Sequence, residues 1–143
     1  MKKFCFILFF SACFASVNAQ VSVPDVKKDA ASAVSGFVKP PEIGDVTSTT
    51  TGITDLLTSN LSLPPAQKPK LTDAISGFLN QKKGIMGLAD TNPTSYLSKF
   101  NPLQKGLFGK LKGIMGATAF TKFLGMKPSG GNIAGNLLSN LFF

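Results

Sequence analysis

The chain has 143 residues, 43% of them hydrophobic, and carries 15 Lys against seven acids for a formal net charge of +8, with no Arg, His or Trp. Both cysteines, Cys5 and Cys13, lie at the amino terminus, so beyond them, with no His or Cys, there is no thiol nucleophile, no imidazole base and no soft metal site. The missing Arg removes the bidentate fork that reads guanine or grips phosphate, and the carboxylates stand singly; together these point away from an enzyme, a cofactor, a metal site and specific nucleic-acid recognition.

Met1-Lys2-Lys3 is a positive start, Phe4 to Phe10 an apolar run, and Val17-Asn18-Ala19 places a small residue before Gln20. That order is the one a cleavable secretory signal peptide needs, and the run is far shorter than the ~20 residues that cross a bilayer. Residues 1–19 therefore predict an exported protein, periplasmic or secreted, whose remaining 124 residues hold no disulfide and must stand on packing alone. Phe10-Ser11-Ala12-Cys13 also resembles the lipid-attachment signal of bacterial lipoproteins, which would cut ahead of Cys13 and tether the chain to a membrane. Phe10 where Leu is usual, and the second cleavage site downstream, favour the plain signal.

Val26, Ala30, Ala33, Val34, Phe37 and Val38 recur at three- and four-residue steps and predict a helix from Pro24 to about Val38, stopped by Lys39-Pro40-Pro41. A Pro-, Gly-, Ser- and Thr-rich stretch to Thr51 reads as an exposed linker, and Ile53, Leu56, Leu57 and Leu61 as the apolar face of a short helix. Ser62-Leu63-Pro64-Pro65 then opens another helix, which Pro69 delays or kinks before Leu71, Ala74, Ile75, Phe78 and Leu79 carry the stripe to about Lys83. Asn92-Pro93 and Asn101-Pro102 read as turns around a short helix with Tyr96, Leu97 and Phe100. A longer helix is expected over Leu103 to Leu124 and a last one over Ile133 to Leu141, separated by Lys127-Pro128-Ser129-Gly130-Gly131. Period-two alternation is almost absent. The expected fold class is all-α, a small bundle of about five helices around a helical hairpin core, with an N-terminal helix and flexible linker at 20–51 and a helical domain at 52–143.

Lys83-Gly84-Ile85-Met86-Gly87 returns 29 residues later as Lys112-Gly113-Ile114-Met115-Gly116, and Gly77 matches Gly106. Two copies are too few for a solenoid, so they read as two related helices of one bundle. Gly106, Gly109, Gly113 and Gly116 fall within an arc of about 80° at 100° per residue. Each glycine costs ~1 kcal/mol in a helix interior relative to Ala. Either they let the two repeat helices cross closely along their glycine faces, or they mark helix ends and short breaks. Beyond Ala117 the apolar stripe leaves phase: Phe120, Phe123 and Leu124 rotate onto the glycine side, so the helix is surrounded by protein there or bends.

Residues 91–143 hold six Lys and no acid, whereas 20–90 hold seven of each. Such a half is either a solubilising lysine face or a surface for an anionic partner. Phe108, Leu111, Met115, Phe120 and Phe123 form the candidate apolar contact patch, with Lys105, Lys110, Lys112 and Lys122 at its basic rim. Residues 105–127 resemble cationic amphipathic host-defence peptides, a likeness that implies contact with an anionic membrane surface.

A second resemblance covers Ser59 to Met126. Leu61-Ser62-Leu63-Pro64-Pro65-Ala66-Gln67 resembles the Leu-x-Leu-Thr-x-x-Gln segment of the LTxxQ-motif family of small periplasmic helical proteins, and Lys110-Leu111-Lys112-Gly113-Ile114-Met115 with Phe120-Thr121-Lys122-Phe123 is similar to its second segment. Pro64 replaces the motif Thr, and the second segment lacks its Gln. The resemblance implies a helical hairpin and, through the family's ATP-independent chaperones, binding of apolar segments. The expected function is non-enzymatic action by contact with a protein partner in the envelope or outside the cell. The alternative is a cationic protein of the membrane surface. No motif fixes the partner or the oligomeric state.

Overall fold

The computed structural model describes residues 36–143, which are helical with no strand among them. The expected signal peptide lies outside the described residues, as does the expected first helix up to Ser35; its last residues, Gly36–Val38, belong to an irregular segment that runs to Asp45.

Helix α1 spans Val46–Asn60. It begins six residues inside the expected linker because Asp45 caps it: the carboxylate accepts from the Ser48 N–H at 2.7 Å and from the Ser48 hydroxyl at 2.8 Å. Thr50, Ile53, Thr54 and Leu57 make its buried face. The helix closes with Ser62 at φ 49° and the Leu63 N–H donating back to the Thr58 carbonyl at 3.0 Å, a Schellman-type end with Ser where Gly is usual.

A 3₁₀ turn at Pro65–Gln67 leads into α2, Lys68–Ile85, with Pro69 in the first turn, where its missing N–H is not needed. Pro69 thus delays the helix and does not kink it. Leu71, Ile75, Phe78, Leu79 and Lys82 are its buried face. After a break at Met86 comes the single turn α3, Gly87–Thr91, and then α4, Pro93–Gly125, capped by Asn92, whose side chain accepts from the Ser95 N–H at 3.0 Å.

Asn101-Pro102 does not turn the chain: Pro102 sits inside α4. Proline deprives the Ser98 carbonyl of its donor, at ~3 kcal/mol in a dry interior, yet Ser98 and Pro102 are both exposed and water can serve that carbonyl. The opposite face, with Tyr96, Phe100, Leu107, Leu111 and Met115 buried, holds the helix together across the proline. The real discontinuity is Gly116, at φ 81° and ψ 167°, a conformation open in practice only to glycine. Residues 108 and 123 would lie about 22 Å apart on a straight helix, but the Phe108 and Phe123 rings are 5.5 Å apart. The chain therefore folds back at Gly116, and Ala117–Gly125 returns along the outer part of α4.

Helix α2 packs on both α1 and α4, and α3 on α4, around one core that contains Ile53, Leu57, Ile75, Leu79, Tyr96 and Leu111. Beyond α4, a segment with Gly130 and Gly135 at positive φ leads to α5, Ser139–Phe142, one helical turn in place of the longer helix expected from Ile133.

Candidate functional site

Residues Leu138–Phe142 are all buried, Ser139 and Leu141 completely. A one-turn helix satisfies almost none of its own carbonyls, so those of this tail need outside donors. Lys82 Nζ donates to the Asn140 carbonyl at 2.8 Å, and Gln104 Nε2 donates to the Leu141 and Phe142 carbonyls at 2.9 and 3.1 Å. The Phe142 ring stacks on Phe123 at 5.0 Å and meets Phe108 edge-on at 5.5 Å. Phe120 closes the cluster against Phe108 at 6.0 Å, and Lys127 Nζ lies 5.1 Å above the Phe143 ring. Beside the tail a groove of about 190 Å³ stays open, walled by Tyr96, Phe100, Gln104, Lys127 and Phe143.

The site is thus a cradle: aromatic rings from the two limbs of α4 grip one ring, and two donors, one from α2 and one from α4, grip backbone carbonyls. Lys82 is fully buried, with no carboxylate partner among the described residues; it also lies 5.5 Å from the Phe100 ring, and burial pushes its amine down to about 7. Burial also pushes the Tyr96 phenol up, and its hydroxyl makes no hydrogen bond among the described residues.

The tail is held by a narrow margin. Burial of Leu138, Leu141 and Phe142 contributes ~2 kcal/mol each and the three hydrogen bonds ~1 kcal/mol each. Ordering residues 138–143 costs ~1.5 kcal/mol per residue, so each side amounts to roughly 9 kcal/mol. Ser139 Oγ and Asn140 Oδ1, buried with no partner among the described residues, weaken the hold further.

Of the expected apolar patch, Leu111, Met115 and Phe123 are buried in the core and Phe108 and Phe120 are half-buried. They do not form an open surface, because α2, the returning limb of α4 and Phe142 cover them. Lys105, Lys110, Lys112 and Lys122 are exposed, and the two ion pairs among the described residues, Lys39–Asp90 and Lys68–Asp55, involve none of them. The glycine faces do not cross: a Cβ built on Gly106, Gly109, Gly113 or Gly116 meets nothing within 4 Å. Helices α2 and α4 do pack together, but along their apolar stripes, and both copies of the repeated motif end a helix, at Met86 and at Gly116.

Sequence reasoning missed Lys82 and Gln104, although both stand in phase with buried stripes: Lys82 three residues after Leu79, Gln104 four after Phe100 and three before Leu107. The repeat held the sharper signal, since Lys82 occupies the place of Leu111 and both are fully buried. Among the described residues no helix is long and apolar enough to cross a membrane, and no three His, Cys, Asp or Glu side chains gather as a metal site. Comparison with protein-family models, curated proteins and solved structures gives no match for this chain.

Proposed function

We propose that this is an exported, non-enzymatic helical protein that acts by contact, binding apolar segments of partner proteins in a chaperone-like way. The observation that carries the reading is the cradle around Phe142. Its donors, Lys82 and Gln104, address backbone carbonyls that every polypeptide has, and its rings address any aromatic side chain, so the chemistry is blind to most of the partner's sequence. The resemblance to the LTxxQ-motif family and the signal-peptide pattern of residues 1–19 point the same way. Suppression of aggregation of a denatured, apolar test protein by the 20–143 chain is the expected outcome, and no effect at several-fold molar excess would remove the reading.

A second reading draws on charge. Lys99, Lys105, Lys110, Lys112, Lys122 and Lys127 are all exposed, in a half of the chain without acids. With the apolar face of α4 buried, contact with an anionic bilayer would be electrostatic and superficial, not an insertion. Flotation with anionic vesicles at low salt, lost at high salt, is its signature.

A further inference from the structure

We propose that the Phe108–Phe123 cradle is the binding site for an uncharged, aromatic-bearing apolar segment of a partner protein, and that residues Leu138–Phe143 are a resident stand-in which such a segment displaces. The inference rests on the apolar-segment reading above and gives it a site and a means of control.

Four observations converge on it. The site is seen filled by a peptide segment, so what fits it is on view: one aromatic ring between Phe108 and Phe123, Leu141 buried beside it, and consecutive carbonyls facing Lys82 and Gln104. The resident segment is an imperfect ligand. It buries Ser139 Oγ and Asn140 Oδ1 without partners, and a competitor with apolar side chains at those two places avoids that cost.

The segment is also a small separate element: it forms a single helical turn after a stretch with Gly130 and Gly135 at positive φ, and its hydrogen bonds to α2 and α4 come from two side chains, Lys82 and Gln104. Charge then selects the partner. Lys127 borders the bound segment and residues 91–143 contain no acid, so a basic segment is repelled while an uncharged one is admitted.

The test uses the 20–143 chain with Leu141→Ser and Phe142→Ser, and a fluorescent peptide with the sequence of residues 136–143 as probe. The variant should bind the peptide a few-fold more tightly than the unaltered chain, whose cradle is occupied by a narrowly held segment. Adding Gln104→Leu should cost roughly tenfold of that affinity. Equal, negligible binding by both chains, with helix content by circular dichroism unchanged, would overturn the proposal.

If the double variant loses its helix, hydrogen exchange on the unaltered chain decides. Amides of 138–142 exchanging well ahead of those in α2 and α4 support displacement, and equal protection overturns it. A dimer of the unaltered chain that the tail substitutions convert to a monomer assigns the cradle to a second copy's tail and likewise overturns it. Peptide uptake without suppression of aggregation keeps the site and removes the chaperone reading. Suppression that the tail substitutions leave unchanged, without peptide uptake, removes the site and keeps that reading.

Discussion

A primary amine held against one carbonyl and one aromatic face, out of reach of water, resists protonation, and this is the situation of Lys82. The groups that face it among the described residues, Phe100 and the Asn140 carbonyl, are neutral, so no counter-charge offsets the desolvation of an ammonium there. Its pKa is lowered from 10.5 to about 7, and between those values the unfolded chain carries a proton that the folded chain does not. Stability therefore rises with pH through that window, by up to ~1.4 kcal/mol per pH unit, and below it the full penalty is present. Lys82→Met removes the penalty and also the hydrogen bond to the tail, which is worth ~1 kcal/mol. The variant should consequently melt above the parent at pH 6 and below it at pH 10, and parallel melting curves across pH would refute the burial of a neutral amine. Ser139 gives a second measure of the same site. Its hydroxyl is buried without a partner, so Ser139→Ala should raise stability by ~1 kcal/mol in a denaturant titration, where a surface serine would give no change.

Helix α4 shows how far local pattern carries. The apolar positions Tyr96, Phe100, Leu107 and Leu111 were legible, though on two expected helices, as was the loss of phase after Ala117, which proved to be the fold-back at Gly116; Asn92, read as part of a turn, caps the helix. Asn101-Pro102 misled because a turn signal is judged from backbone chemistry alone, whereas here burial on the far side of the helix outweighs the lost hydrogen bond. Aligned side by side, the glycines looked like a contact surface, but a small side chain lowers the barrier to close approach without supplying a partner. Two substitutions separate their roles. Gly113→Ala adds a methyl group to open space in a helix and should stabilise by about 0.5–1 kcal/mol. Gly116→Ala meets no neighbour either, yet its φ of 81° is closed to alanine, so it should destabilise by about 1–3 kcal/mol. Equal effects at both positions, read from thermal melts, would contradict the fold-back. The cradle itself was out of reach of sequence pattern: Lys82 and Asn140 are 58 residues apart, and periodicity reports which face is buried, never which distant segment buries it.

Across the whole molecule, charge and core are segregated. Residues 20–143 carry a net charge of +6, all of which arises in residues 91–143, where every lysine is exposed. The two ion pairs among the described residues, Lys39–Asp90 and Lys68–Asp55, lie outside that stretch, and both are solvated, which leaves each a small contribution. Added salt thus has little attraction to screen and a surplus of like-charge repulsion to relieve, over a Debye length that falls from about 30 Å at 0.01 M to about 8 Å at physiological ionic strength. The expected outcome is a Tm that climbs by a few degrees between 10 and 300 mM NaCl, on the order of 1 kcal/mol of stability. Replacing Lys105 and Lys112 by Gln should recover part of that gain at low salt and shrink the salt response. These two residues lie within about 20° of each other on the helix, so each carries the other's repulsion. A Tm that falls with salt would mean that attraction, not repulsion, dominates the lysine-rich half, and the basic surface would then be a set of internal ion pairs and no longer available to an anionic partner.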